Sequence, residues 1–292
     1  MIQASRMAGD PVGALPLEVA CAVLGVNRGS YYRHDPAAIQ LPEPDGALRA
    51  AIEGIVEEFA GYGYRRVTAQ LQREGWEVNH QRVLRVMREE SLLCQLRRRW
   101  RRTTDSEHGL RTYPNLLAGC GWRALTGCNQ AWVADLTYIR LGSGFCYLAA
   151  ILDAYSRKVV GWELSESLEA ALAVSALKQA LASRQPPVGF IHHSDRGVQY
   201  ACRDYVAVLE EAGARISMAA KGTPRDNAQA ESFFRTLKHE EVYLNEYEHY
   251  GEARQALGRF IDRVYNEKRL HSSLGYRPPS EFETLTAAGF FC

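Results

Sequence analysis

The sequence predicts an α/β protein whose mixed sheet is preceded by small all-α helix-turn-helix regions. Three observations point there. Three β-rich runs follow one another closely after residue 128, helix and strand patterns alternate beyond them, and the stretches before residue 97 carry helical patterns only. With 292 residues, 46% hydrophobic and 24% charged, the chain has room for one large domain or two to three smaller ones.

Residues 15–35, LPLEVACAVLGVNRGSYYRHD, contain a short apolar helix, a Gly-Val-Asn break and a second short helix. That pattern suits a helix-turn-helix whose second helix enters a major groove, and equally any helical hairpin. It sets an N-terminal helix-turn-helix-like segment at 1–45. After QLPEPDG, a second helical, DNA-binding region spans 46–96. There Val83, Leu84, Val86 and Met87 form an apolar stripe behind the N-cap residue Asn79. Arg82, Arg85 and Arg88 drift around one exposed side, where they track a phosphate backbone or simply face solvent.

Residues 97–127 show no sustained period and read as a basic linker. In it Arg97, Arg98, Arg99, Arg101 and Arg102 surround Trp100. Guanidinium forks match phosphate oxygens, and an indole among them can stack on a base or ribose. A solvated helix end is the plainer reading of the same run.

From 128 to 285 the texture is that of a folded α/β core, followed by a tail at 286–292. AWVADLTYIRL, FCYLAAILDAYS and KVVGWEL are three strands separated by short turns, which predicts an antiparallel meander. A helix (LEAALAVSALKQALAS), the strand VGFIHHSD, the helix RDYVAVLEEAG and a short strand RISMA come next, with closing helices beginning near Asn227 and Tyr250.

The net charge of +1 names no partner, but no lysine precedes Lys158, so the first half is basic through arginine alone. Seven scattered cysteines, odd in number and never spaced CxxC, argue against a disulfide framework or zinc module and for a reducing, cytoplasmic compartment. No apolar run approaches the ~20 residues needed to cross a bilayer, and the opening residues lack the order of a secretory signal.

Three acids stand out. Asp135 sits mid-strand, where an unpaired carboxylate wants a cation or donors. Asp195 ends the strand VGFIHHSD. Glu231 lies on a helix whose Ala230, Phe233, Phe234 and Leu237 form the core side, while Glu231, Arg235 and Lys238 form a second stripe beside it. Asp226 and Gln229, three apart, approximate a capping box at its start. Oxygen-only ligands suit Mg²⁺ or Mn²⁺ rather than zinc. His192 and His193 read as a strand-end pair satisfied by neighbours, and Asp153 as a turn former.

WVADLTYI, HHSDRGVQY, DNAQAESFFRTLKHE, YNEKRLHSSLGYRPPSEF and YGYRRVTAQLQREG together resemble transposases of the insertion-sequence-3 family, within the retroviral-integrase-like enzymes; the resemblance spans roughly residues 15–285. Between Asp195 and Glu231 lie 35 residues, the family's separation of its second acid and its glutamate. The resemblance implies a ribonuclease-H-like catalytic domain with the first two acids on adjacent central strands. It implies that Asp135, Asp195 and Glu231 are the catalytic, metal-holding Asp-Asp-Glu triad, with two Mg²⁺ or Mn²⁺ ions per site. Lys238, matching the family's basic residue two turns after the glutamate, is implied to hold DNA near the cleaved end. The activity implied is metal-dependent strand cleavage and strand transfer at the ends of a mobile element.

Partners expected on this reading are double-stranded DNA, further copies of the chain on that DNA, and an upstream-frame protein or fusion, since no heptad run appears near the N-terminus. The site expected is the nucleoid of the cytoplasm. A DNA-binding regulator, or a nuclease of the same fold that cuts without joining, remain the alternatives.

Overall fold

The computed structural model describes residues 17–23, 25, 27–29, 45–94, 110–119, 121–220 and 223–289. The chain divides into two compact units, residues 1–50 and 51–292. In the first, helix α1 (Leu17–Val23) ends at Gly25, whose φ of 64° is left-handed and stops the helix as the Gly-Val-Asn break requires. Of the second short helix expected there only Arg28 and Gly29 are described, both helical; the rest of it, and the run of Arg97, Arg98, Arg99, Trp100, Arg101 and Arg102, lie outside the described residues.

Helix α2 (Gly46–Glu58) leads into the second unit, where Ile52, Ile55 and Phe59 are buried at helical spacing. Helix α3 (Tyr64–Arg73) buries Val67, Thr68 and Leu71. Helix α4 (His80–Glu89) buries Val83, Val86 and Met87, and Asn79 caps it by accepting the Arg82 N–H at 2.9 Å, as expected.

These helices dock on the rest of the unit. The Leu270 N–H donates to the buried Tyr62 hydroxyl at 2.6 Å, and Arg66 Nε donates to the Leu270 carbonyl at 3.1 Å. Beneath them Arg269 grips Glu240 through two bonds of 2.7 Å, in a pair whose side chains are only 3% and 7% exposed. Gly61 is the close-approach position: a Cβ there would sit 2.2 Å from Glu240 Cγ. Arg269 is thus spent on an internal acid, and its neighbour His271 packs edge-on against Tyr265.

The sheet follows. Strands β1 (Ala131–Leu141), β2 (Gly144–Asp153) and β3 (Val159–Ser165) form the expected antiparallel meander. Helix α5 (Ala170–Arg184) crosses to β4 (Ile191–Ser194), and the short helices α6 (Val198–Ala201) and α7 (Arg203–Glu211) lead to β5 (Arg215–Met218). The order is β3-β2-β1-β4-β5, with β1–β4 and β4–β5 parallel. This mixed sheet has the ribonuclease-H-like arrangement that the resemblance implies. Strand β4 is shorter than VGFIHHSD suggests, because Gly189 turns with φ 89° just before it.

Period-two alternation assigns the faces. Trp132, Ala134 and Ile151 pack with Leu172, Leu177, Tyr205 and Leu209 on one side. Val133, Leu148 and Leu152 pack on the other with Phe233, Phe234 and Leu237 of helix α8 (Ala228–Leu237) and Leu257 of helix α9 (Tyr250–Arg259). Each such fully buried side chain contributes about 1.5–3 kcal/mol of transfer free energy. Helix α8 runs on into a π-helical turn, Lys238–Val242, and α9 into another, Phe260–Tyr265. Helix α10 (Pro279–Ala287) closes the described chain and runs two residues past the expected end of the core at 285. Among the described residues no helix is long and apolar enough to cross a membrane.

Candidate active site

Asp135 follows Ala134 on β1, and Ala134 pairs with Ser194 in the parallel register of β4. One step further, that register faces Asp135 toward Asp195, with neighbouring strands about 4.8 Å apart. The two acids therefore occupy adjacent central strands, as expected. Asp135 shares the odd-numbered face of β1 with Val133, the face covered by α8. Asn227, just before α8, donates Nδ2 to the Ala134 carbonyl at 3.2 Å and ties the helix start to the strand beside Asp135. Glu231 then projects one turn into α8, exposed to solvent.

The charges register the convergence. The Asp135 carboxyl is pushed up to about 8, first by burial and then by the Asp195 charge, with Glu231 adding to the rise; the Leu136 N–H and Lys238 oppose it. Asp135 Oδ1 accepts that Leu136 N–H at 2.8 Å, and Asp195 Oδ1 accepts the Gly197 N–H at 2.8 Å in a tight turn. Tyr200 lies beneath, its hydroxyl buried without a hydrogen-bond partner and pushed well up by burial, then by the Asp135 charge. Three like-charged carboxylates, with an orphaned hydroxyl close by, form a donor set of oxygens that suits a hard divalent cation.

Lys238 opens the π-helical turn. Its Nζ lies 4.7 Å from the centre of the Tyr138 ring, and burial lowers its pKa while Asp135 opposes that. Arg235 is exposed on α8. Arg82 and Arg85 are exposed on α4, where Arg85 pairs with Glu89 at 3.1 Å. The structure thus gathers Asp135, Asp195, Glu231 and Lys238, and leaves Arg82 and Arg85 on a separate helix.

One local expectation is corrected. Asp226 is not half of a capping box: it sits in the 3₁₀ turn Pro224–Asn227, where its carboxylate accepts the Ala220 N–H at 3.0 Å. The N-cap of α8 is Asn227, with no side-chain cap bond, because its amide is committed to β1. Asn227, Tyr200 and Tyr138 were not singled out in the sequence; only the helix start at Asn227 was visible there. The histidines are satisfied by neighbours as expected, except that His193 Nε2 is buried without a partner. His192 Nε2 meets the Tyr205 hydroxyl at 2.9 Å and His193 Nδ1 meets Ser217 Oγ at 2.8 Å. Burial holds their pKa values down at about 3 and about 4.

A second acidic group lies lower on the sheet, where ligand atoms of Cys128, Asp153 and Glu283 fall within 4.8 Å of one another. Its carboxylates are already engaged. Asp153 accepts the N–H groups of Asn129, Tyr155 and Ser156 at 2.5–2.9 Å, which makes it the turn former expected. Glu283 takes two bonds from Arg184, at 2.8 and 2.6 Å, and one from Ser156 Oγ at 2.7 Å.

Comparison with known proteins defines the class first. Residues 126–224 and 212–279 each match an integrase core domain family, and residues 43–100 match an HTH-like domain family. Fold and match together make this an integrase-core protein with a helix-turn-helix-like region ahead of it. The relatives make the family specific. The chain is 39% identical over 266 residues to the insertion element IS600 uncharacterized 31 kDa protein of Shigella sonnei, covering 90% of this chain and 96% of that one. It is 37% identical over 276 residues to transposase InsF for insertion sequence IS3A of Escherichia coli (strain K12), covering 93% and 95%. It is 36% identical over 237 residues to the transposase for insertion sequence element IS904 of Lactococcus lactis subsp. lactis (strain IL1403), covering 81% and 93%. The chain belongs to the insertion-sequence-3 family of transposases, and its family chemistry is polynucleotidyl transfer.

Proposed function

We propose that this transposase cuts and joins DNA at the ends of its insertion element through one acidic centre made of Asp135, Asp195 and Glu231. The observation that carries the reading is the convergence of these acids: Asp135 is pushed up to about 8 by burial and by Asp195, with Glu231 adding. A fold gains nothing in stability from such an arrangement, whereas a cation site needs it. Asp135 and Asp195 on the sheet, and Glu231 on α8, would hold Mg²⁺ or Mn²⁺. Bound there, two divalent ions activate an attacking oxygen and stabilise a leaving oxygen in an in-line displacement at phosphorus.

The chain's own residues do the rest. The rigid strands fix the two aspartates relative to each other, and the Asn227 amide fixes the start of α8 against β1. Glu231 is exposed, so the centre is open on the side from which a duplex arrives. Lys238, steadied over the Tyr138 ring, is placed to hold a phosphate beside Asp135. Attack by water frees a 3′-OH at an element end, and attack by that 3′-OH joins it to a second strand. Double-stranded DNA is the partner in both steps. The exposed arginines of α4, Arg82 and Arg85, together with the basic run at 97–102, supply further phosphate contacts, and further copies of the chain and an upstream-frame product complete the assembly. We assign residues 46–96 to DNA binding and 128–285 to catalysis.

The test is Mg²⁺- or Mn²⁺-dependent strand transfer on labelled DNA carrying the element ends, with wild type run beside Glu231→Gln. Joined products from wild type and none from the variant are expected. Cutting without joining by wild type would instead make the protein a nuclease.

A further inference from the structure

Around α8 from the Glu231 stripe, a cavity of about 520 Å³ opens between α3, the β2–β3 turn, α8 and residues 269–273. Its wall carries four arginines, Arg66, Arg157, Arg235 and Arg269, and among the described residues no carboxylate lines it. Arg269 spends Nε and Nη2 on Glu240, and Arg66 spends Nε on the Leu270 carbonyl. Arg157 is different. Its Nε is buried with no hydrogen-bond partner, and among the described residues no ion pair holds its guanidinium. Burial holds that guanidinium below the ordinary arginine range, a desolvation that nearby Tyr265 and Asp153 offset only in part.

The backbone is built to keep it there. Arg157 has φ 66°, a left-handed conformation that a residue with a Cβ adopts only under strain. The turn that enforces this is the one Asp153 organises, its carboxylate taking three backbone N–H groups while its carbonyl accepts the Arg157 N–H at 2.9 Å. His271 reports the local field. Its imidazole is held well below the ordinary histidine range by burial and then by the charges of Arg269, Arg66 and Arg157, and its Nε2 is buried without a partner. Gln229 Oε1, at the other wall, is likewise unpartnered.

We propose that this cavity is a phosphate-binding site, separate from the acidic centre, in which Arg157 supplies the open fork and Arg66 and Arg269 the surrounding positive field. The chemistry recognised is a phosphate ester. It comes either from the DNA backbone running past α8 or from a free phosphate or nucleotide. Because Arg235 belongs both to this wall and to the Glu231 stripe, a DNA phosphate held here would lie on the strand that reaches the acids. That source rests on the function proposed above; the free-phosphate source does not.

The experiment measures, on the full chain, calorimetric binding of inorganic phosphate and of deoxyadenosine 5′-monophosphate, and the salt dependence of binding to an element-end duplex. Wild type is compared with Arg157→Gln and Arg157→Lys. We expect Arg157→Gln to weaken phosphate binding about tenfold and to lower the log–log salt slope for DNA by about one, with Arg157→Lys intermediate. Loss of phosphate binding with an unchanged DNA slope assigns the site to a free phosphate or nucleotide. A lowered slope assigns it to DNA. If Arg157→Gln melts like wild type and changes neither quantity, the proposal is overturned. Should that variant not fold, the ring signals of His271 in wild type decide: phosphate must raise its titration point, and no movement overturns the site. Glu231→Gln, run in parallel, abolishes strand transfer under the proposed function yet leaves both binding readouts intact, so the two readings fail separately.

Discussion

Two groups of acids gather at positions three residues apart along β1, a rise of about 10 Å, and the protein treats them oppositely. Trp132 of β1 pairs with Asp153, while Asp135 faces Asp195 across the parallel register. Around Asp153 the fold supplies three backbone donors, and around Glu283 an arginine fork, a hydroxyl and Lys158 at 3.3 Å. At Asp135 burial and the charges of two other carboxylates outweigh the Leu136 N–H and Lys238. Asp153 and Glu283 are surrounded by donors; Asp135, to which the proposed function gives the chemistry, is left among its own kind. Proximity of acids alone does not distinguish the two, but the accounting of their donors does.

That contrast can be broken or sharpened by substitution. The largest effect is expected at Asp135→Asn, which should lower metal-dependent strand transfer by roughly 10³-fold while raising the melting temperature in metal-free buffer; activity near wild type would sink the assignment. Asp153→Ala should do the reverse. It strands three backbone donors and should cost about 3 kcal/mol or more in denaturant unfolding, with activity lost only in proportion to the unfolded fraction. Glu283→Gln should cost about 2 kcal/mol near neutral pH. Burial alone would raise the Glu283 carboxyl, but Arg184, Ser156 and Lys158 outweigh it and hold the pKa below its ordinary value. A depressed folded pKa gives stability that is present above the unfolded value and lost as pH falls through the folded one. The gap between wild type and Glu283→Gln should therefore close on acidification below about pH 4.3. The smallest effect is expected at Arg85→Ala, whose pair with Glu89 is half exposed on both sides; melting should move by no more than about 0.5 kcal/mol, and a lowered salt slope for DNA would place α4 on the duplex.

Much of this was legible in the chain. The meander announces itself through three β-rich runs with short turns, and the helical pattern puts Phe233 on the core side and Glu231 on the stripe beside it. Asn79 was readable as a cap because its partner is three residues away. The acids were readable because their separation matches a family, not because their burial could be foreseen. What stayed hidden depends on contacts far apart in sequence. Tyr62 meets Leu270 across 208 positions, and Arg269 meets Glu240 across 29. Asp226 misled because its partner, the Ala220 N–H, and the bond that ties Asn227 to β1 were invisible from the local pattern. Arg157 gave no signal at all, since nothing in AYSRK announces a left-handed arginine.

The seam under Gly61 has a consequence for where DNA is cut. A covalent connection alone does not fix the helices against the sheet. The Tyr62 hydroxyl, the Arg66 fork and the Arg73–Glu281 pair at 2.5 Å instead clamp α2–α4 to the last third of the chain. Under the proposed function, the helical arm and the acids would behave as the two jaws of a calliper. A duplex grasped by one jaw would meet the other at a fixed number of base pairs, and a side chain at Gly61 would blur the position of the cut before it slowed the cutting.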